Sequence, residues 1–344
     1  MKAAVMLDRM EMGWEEKTVP VPNEDEVLVK IDYVGICGSD LHYFEHGKIG
    51  NYIVKPPFIL GHEASGEVVE LGKNVKNLMI GDRVALEPGK TCGHCEFCKK
   101  GQYNLCPEVE FFATPPVDGV FQQYVVHKAD LCFKLPDHVS TLEGALIEPL
   151  AVGVHAAHQA GATLGQAAVV MGAGCIGLCT MMALRAFGVT EVYVIDIMKN
   201  RLKKAVELGA SGIINSSESN PAETIMNITK NRGVDIVVEA SGVEICANQG
   251  LEMLVRGGTF VQVAYSSSGF MNLNMGLLCD KEITVKSVFR YRHNYPMAIQ
   301  AVADGQINLK GIVTNTFDFE NVDQAMRECA LNKADIVKAV IKMN

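Results

Sequence analysis

The sequence predicts an α/β protein in two domains: a doubly wound parallel sheet flanked by helices, and a mostly β domain of irregular, barrel-like character. Three observations carry this. The chain has 344 residues, more than one hydrophobic core commonly serves. Residues 1–150 read as short β segments broken by Gly and Pro. Residues 151–286 read as near-continuous apolar strands alternating with helices, the pattern of βαβ units around a buried sheet.

The elements follow in order. "EVLVKIDYVGI" alternates apolar and polar residues as a half-buried strand does, and "ASGEVVELG" and "DRVALEP" extend the β pattern. "KPPF", "EPGK" and "TPPVDG" punctuate it. The pattern changes near Pro149. "QAAVVMGAG" is a strand ending in glycines, and "CIGLCTMMALRAFG" has helical spacing and closes on Gly188. "EVYVIDI" is a strand and "KNRLKKAVELGA" an amphipathic helix; "GIINS", "VDIVVEAS" and "TFVQVAY" are further apolar strands. The tail from residue 287 is too short to be a domain. It is expected to return to the first one, so that 1–150 and 287–344 form a discontinuous unit around 151–286.

Composition excludes several classes. A net charge of −9 argues against a nucleic-acid groove or an anionic membrane surface, both of which need clustered Lys and Arg. The N-terminal "MKAAVMLDRMEMGWEE" reaches acidic residues before a long apolar run develops, unlike a signal peptide. No stretch is apolar over the ~18 residues that a membrane span needs. The expected compartment is the reducing cytoplasm. There, clustered cysteines act as metal ligands, and most isolated ones, among the eleven in the chain, are small buried hydrophobes.

"GAGCIG", Gly172 to Gly177 with Cys175 and Ile176 inside it, is a G-x-G-x-x-G run. Alone the pattern is weak. Here it follows the strand "AAVVM" and opens a helix, the context of a Rossmann dinucleotide site. Gly172 allows a tight turn, Gly174 lets backbone approach a pyrophosphate, and Gly177 lets helix and strand pack closely. The helix N-terminus presents N–H groups to the phosphates. Asp196 ends the next strand, 19 residues after Gly177. A carboxylate there accepts from the ribose hydroxyls and repels a 2′-phosphate, favouring NAD over NADP. Arg201 is read as packing on the adenine side.

Two metal signals stand in the first domain. Cys92, Cys95, Cys98 and Cys106 lie within "TCGHCEFCKKGQYNLC". Four thiolates close a tetrahedral zinc site and leave no open position, so this lobe is structural; an iron–sulfur cluster is the competing reading. The second signal is quieter. Cys37 sits in "GICGSDLH", and His62 and Glu63 sit in "LGHEASGEVVELG". One Cys, one His and one carboxylate supply three ligands and leave a fourth position open, the pattern of a catalytic zinc. Read separately each is weak, since a lone Cys is usually core. Glu148, in "ALIEPLAVG", is a further candidate, because a buried carboxylate needs a cation or a metal.

These residues together resemble the zinc-dependent medium-chain alcohol dehydrogenase superfamily over the whole chain. "GHEASGEVVELGKNV" fits the family's zinc signature and "CGSDLH" its first-ligand loop; the cysteine lobe, "GAGCIG" and Asp196 follow in the family's order. Within it, "FFATPPVDGVFQQY", "EPLAVGVHA" and "FRYRHNYP" are similar to polyol dehydrogenases of the sorbitol and xylitol type. The resemblance implies a GroES-like catalytic domain beside the Rossmann coenzyme domain, and two zinc ions per chain. Cys37, His62 and Glu63 would hold the catalytic zinc, with Glu148 just outside or alternating with Glu63. It also implies NAD contacts from Val263, Ala264, Tyr265, Phe289 and Arg290. The full cysteine set places the chain nearer the bacterial or fungal branch.

The activity implied is oxidation of a polyol (sorbitol, xylitol or L-iditol) to its ketose, with hydride transfer to NAD. Ser39 and His42 take the relay positions that carry the hydroxyl proton outward, and Glu148 assists. Tyr43, Phe111, Phe112, Thr114, Glu148, Arg290 and Tyr291 take the pocket positions, where a polyol's several hydroxyls need polar partners. Their bland reading is a structural ion pair between Arg290 and Glu148. The alternatives are a related zinc dehydrogenase acting on L-threonine, a vicinal diol or a sugar phosphate, and a non-catalytic protein that keeps the fold. The resemblance also implies a homo-oligomer, a tetramer.

Overall fold

A computed structural model describes residues 1–343. The chain forms two compact units, each with its own core. The first comprises Met1–Glu148, Tyr295–Ala303 and the chain from Val313 onward; the second comprises Pro149–Asn294 and Asp304–Ile312.

The first unit is built on a seven-stranded sheet. Its central strand, Glu26–Gly35, is the "EVLVKIDYVG" run; Val27, Leu28, Val29, Ile31 and Val34 are buried, so burial is denser than the alternation expected and its phase changes where the register shifts after Ile31. It pairs antiparallel with Glu63–Leu71, with Tyr124–Lys128 and with Ala339–Lys342. Arg83–Leu86 and Cys132–Lys134 extend the sheet on one side, and Asn315–Asp318 on the other. Val27, Val29, Ile31, Val34, Phe44, Leu60 and Phe121 fill the core beside it. The register gathers distant residues. Gly35 lies opposite Glu63 on one side and Val340 on the other, so three remote segments meet at the end of one strand. A Cβ on Gly35 would stand 2.0 Å from a Glu63 carboxylate oxygen, so a side chain there would displace that carboxylate.

The second unit holds a six-stranded parallel sheet. Its order is Gly212–Asn215, Glu191–Asp196, Ala167–Met171, Val234–Glu239, Leu254–Gln262, Thr284–Ser287. In chain order that is 3-2-1-4-5-6, the doubly wound arrangement. Ala167–Met171 is buried along its whole length, as expected of a strand covered on both faces. The order reverses between Ala167–Met171 and Val234–Glu239. Ligands bind at the carboxyl ends of strands at such a switch point.

The structure draws the limits of the units differently from the expected return at residue 287. Val288 continues the ladder by donating its N–H to Gln262, and Asn294 donates to the Ala151 carbonyl. The short helix Leu309–Ile312 also stays with the second unit. The chain therefore passes between the units more than once.

Candidate functional site

Cys37 caps the helix Gly38–His46, and His62 and Glu63 stand where the chain enters the strand Glu63–Leu71. The sheet register brings these segments together. A sulfur, a ring nitrogen and a carboxylate oxygen of Cys37, His62 and Glu63 lie within 4.8 Å of one another. His62 and Glu63 are buried and Cys37 is half-buried.

Asp40 organises this trio. It is fully buried, and its carboxylate accepts from the Cys37 N–H at 3.0 Å, from the Gly61 N–H at 2.9 Å, and faces His62 Nδ1 at 3.5 Å. Burial works against the charged form of Asp40. His62 and the two backbone donors prevail and hold its carboxyl below the usual range. Burial likewise pulls the His62 imidazole down, but Asp40 and the Cys37 sulfur outweigh it and keep the ring well above its ordinary value. The surroundings thus favour positive charge at His62. With Nδ1 turned to the Asp40 carboxylate, Nε2 is left free to serve as the ligand atom, as in a carboxylate–histidine–metal chain. The donor set fits a zinc ion with an open position.

Glu63 has a second cation. Lys338 donates to both its oxygens, at 2.8 and 2.7 Å, and to the Ile36 carbonyl at 3.0 Å. The Lys338 side chain is 3% exposed and that of Glu63 1%. Each carboxylate oxygen has two lone pairs, so Glu63 can serve a lysine and a metal together.

Glu148 is buried at the first turn of the helix Ile147–Ala160 but is not part of the group that meets within 4.8 Å. Ser39 and His42 lie on the helix that Cys37 caps, three residues apart and so on one face; Ser39 is half-buried and His42 exposed. Phe111 sets its ring 5.6 Å from that of His62. Its neighbour Phe112 turns away. It packs on His127 at 4.7 Å and helps line a cavity of about 470 Å³ with Met1, Lys17 and Tyr124. Tyr43 is part of the core, and Thr114 closes a short turn onto Val117.

The four lobe cysteines also converge. Cys92 Sγ lies 3.6 Å from Cys106 Sγ and 4.0 Å from Cys98 Sγ. Zinc–sulfur bonds of ~2.3 Å make a tetrahedron with edges of ~3.8 Å, so the spacing fits. Backbone N–H groups of Cys92, Cys95 and Cys98 point at the sulfurs of Cys106, Cys92 and Cys95. The backbone N–H groups of His94 and Cys95 lower the Cys92 thiol to about 6, whereas burial lifts Cys106 to about 11. Four thiolates at this spacing need a cation among them.

In the second unit "GAGCIG" forms the strand–turn–helix expected. Gly172 has φ +99° and packs against the Ala240 carbonyl, and a Cβ on Gly177 would collide with the Gly172 carbonyl. At Gly174 a Cβ would meet only the Arg201 guanidinium, at 4.0 Å. That open approach above the N-terminus of the helix Cys175–Ala186 fits a pyrophosphate. Asp196 accepts from the N–H of Ala173 at 2.7 Å and of Met198 at 2.8 Å, which fixes its carboxylate beside the glycine turn. Val263 and Ala264 are half-buried, Tyr265 and Phe289 are exposed, Tyr291 is buried, and Arg290 has φ +53°.

Comparison with known proteins decides the family. The alcohol dehydrogenase GroES-like domain matches residues 23–137, and the zinc-binding dehydrogenase domain matches residues 175–304. A sorbitol dehydrogenase of Bacillus subtilis is 44% identical over 344 residues, covering 100% of this chain and 98% of that protein. This chain belongs to the zinc-dependent medium-chain alcohol dehydrogenases. A sorbitol dehydrogenase of Bos taurus is 44% identical over 90% of this dehydrogenase and 88% of its own length. Among solved structures, an Escherichia coli oxidoreductase of unknown specificity superposes with a TM-score of 0.95 at 40% identity, covering 100% of this chain and 99% of its own.

Sequence reasoning missed two residues of the dehydrogenase's site. Asp40 had a local signal, a carboxylate three residues into the helix that Cys37 caps. Lys338 had none, because its link to Glu63 spans 275 positions.

Proposed function

We propose that this dehydrogenase oxidises a polyol (sorbitol, xylitol or L-iditol) to the ketose with NAD as acceptor. We assign the zinc and substrate chemistry to the first unit and NAD to the second. The observation that carries the reading is the buried group of Cys37, His62 and Glu63, with Asp40 behind His62 and Lys338 behind Glu63. Its relatives named sorbitol dehydrogenase support the substrate class. When bound, zinc supplies a Lewis acid for the substrate hydroxyl and NAD supplies the hydride acceptor.

The chain's own residues do the rest. Asp40 holds the His62 ring in one orientation, and Lys338 donates to both oxygens of the buried Glu63 carboxylate. The Ser39 hydroxyl takes the proton that the substrate hydroxyl gives up, and His42, one turn on and exposed, passes it to solvent. Phe111 covers the His62 ring and keeps water off it. Glu148 offers a buried acceptor to a hydroxyl of the polyol. Cys92, Cys95, Cys98 and Cys106 hold a structural zinc.

We further propose a homo-oligomer, a tetramer by the family resemblance, located in the cytoplasm. The strand Thr284–Ser287 is exposed throughout and pairs on one side only, an edge that association would cover. None of the eleven cysteines is paired in a disulfide, which suits a reducing compartment. No helix among the described residues is long and apolar enough to cross a membrane.

A substrate panel read by NADH absorbance tests the function. Sorbitol, xylitol and L-iditol should turn over with kcat/KM at least ~10-fold above L-threonine, a vicinal diol and a sugar phosphate. Turnover of one of the latter three alone would move the protein to that branch, and no turnover with zinc-replete protein would end the enzyme reading.

A further inference from the structure

The helix Gly38–His46 carries a second histidine. His42 and His46 are four residues apart, on the same face as Ser39, and both are exposed. Their rings already touch edge to face, with centroids 4.7 Å apart. Among the described residues neither imidazole makes a hydrogen bond or an ion pair, so their ring nitrogens have only each other and solvent. Glu45, between them, is taken by Lys333, which donates to both its oxygens at 2.7 and 2.6 Å. Two unengaged imidazoles one helical turn apart are the spacing by which a helix presents two histidines to one metal. The rings already lie side by side, so chelation needs only small rotations of the two side chains.

We propose that His42 and His46 form a third metal site, a surface chelate for a divalent transition ion such as Zn²⁺ or Ni²⁺. Imidazole suits both ions, and water completes the coordination. The site has a consequence that rests on the proposed relay. An ion on His42 occupies the nitrogen lone pair that receives the proton, so excess metal closes the exit while leaving the three zinc ligands untouched. The same ion that the catalytic site needs in one copy would then act as a brake in surplus.

The test uses the full-length enzyme with both zinc sites filled and unbound metal removed. Wild type, His46→Ala and His94→Ala are dialysed against micromolar Ni²⁺ and their metal is counted. His94 is included because Cys92, His94 and Glu108 form an exposed rival group. Wild type and His94→Ala should each take up about one nickel beyond their zinc, and His46→Ala none. Uptake by His46→Ala, loss of uptake in His94→Ala, or no uptake by wild type overturns the site. In the same samples nickel should slow NAD reduction by wild type at least ~10-fold and leave His46→Ala at its nickel-free rate. His46-dependent uptake without inhibition keeps the site and removes His42 from the relay. Absence of polyol turnover before nickel is added counts against the polyol reading alone, since the metal count does not depend on it.

Discussion

Replacing Lys338 with Met tests how the buried charge of Glu63 is balanced. Met keeps the length of the side chain and removes its charge. The substitution takes away a two-pronged ion pair at 2.7 and 2.8 Å between side chains 3% and 1% exposed, together with a third bond to the Ile36 carbonyl. Removing one partner of such a pair costs about 3–5 kcal/mol, because the other charge stays buried. For a unit of this size each kcal/mol moves Tm by roughly 2–4 °C, so zinc-free Lys338→Met should melt roughly 6–20 °C below zinc-free wild type. In zinc-loaded protein a cation also faces Glu63, and the gap between variant and wild type should shrink by about half or more. Differential scanning calorimetry of both proteins, chelated and zinc-loaded, reads the two gaps. An equal gap in both states would mean that Glu63 is not a zinc ligand and that Lys338 alone balances it, and no gap in either would refute the buried-pair argument itself.

The same geometry sets further outcomes. Glu87 is buried and accepts from the Tyr103 hydroxyl at 2.8 Å; burial, with the charges of Glu148 and Asp130, raises its carboxyl to about 7. A raised carboxyl stabilises the fold below its unfolded value and loses that contribution as pH climbs through about 7, on the order of 3 kcal/mol in all. Glu87→Gln should therefore flatten the fall in stability between mildly acidic and neutral pH in denaturant titrations. Asp40→Asn should weaken zinc binding at the trio by about 10–100-fold in chelator competition, since it removes the carboxylate behind His62. Cys95→Ser should lose the lobe zinc by metal analysis and lower Tm while the catalytic zinc stays; the reverse pattern would mean the two sites are exchanged. Asp196→Asn should reduce the preference for NAD over NADP by roughly 10-fold in coenzyme titrations, because it removes the charge that repels a 2′-phosphate.

What is readable in the chain alone divides along a physical line. "GAGCIG" and the four lobe cysteines are legible because backbone geometry and metal coordination each place their demands on residues close in sequence. Cys37, His62 and Glu63 are legible only as a pattern of ligand types. What joins them is the antiparallel register of Glu26–Gly35 with Glu63–Leu71, and that is a property of the sheet. Lys338 lies beyond reach for the same reason: its place depends on Ala339–Lys342 pairing with the far end of the central strand. Phe112 shows the opposite failure. It sits beside Phe111 in the chain, yet the strand Glu110–Phe111 ends there and Phe112 opens a turn, so one meets His62 and the other His127.

The link between Glu63 and Lys338 also limits how this protein can be recombined with its relatives. A chimera that takes residue 63 from one parent and residue 338 from another inherits the two halves of one charge balance separately. Where the parents differ at position 338, such a hybrid would carry an intact zinc motif and still be unsound beneath it. Crossovers that move the segment around Gly35, the His62–Glu63 step and the strand Ala339–Lys342 as one block keep the balance, although nearly the whole chain separates them. The unit of inheritance for this site is a set of paired strand ends, and its members are found by following the sheet across rather than the sequence along.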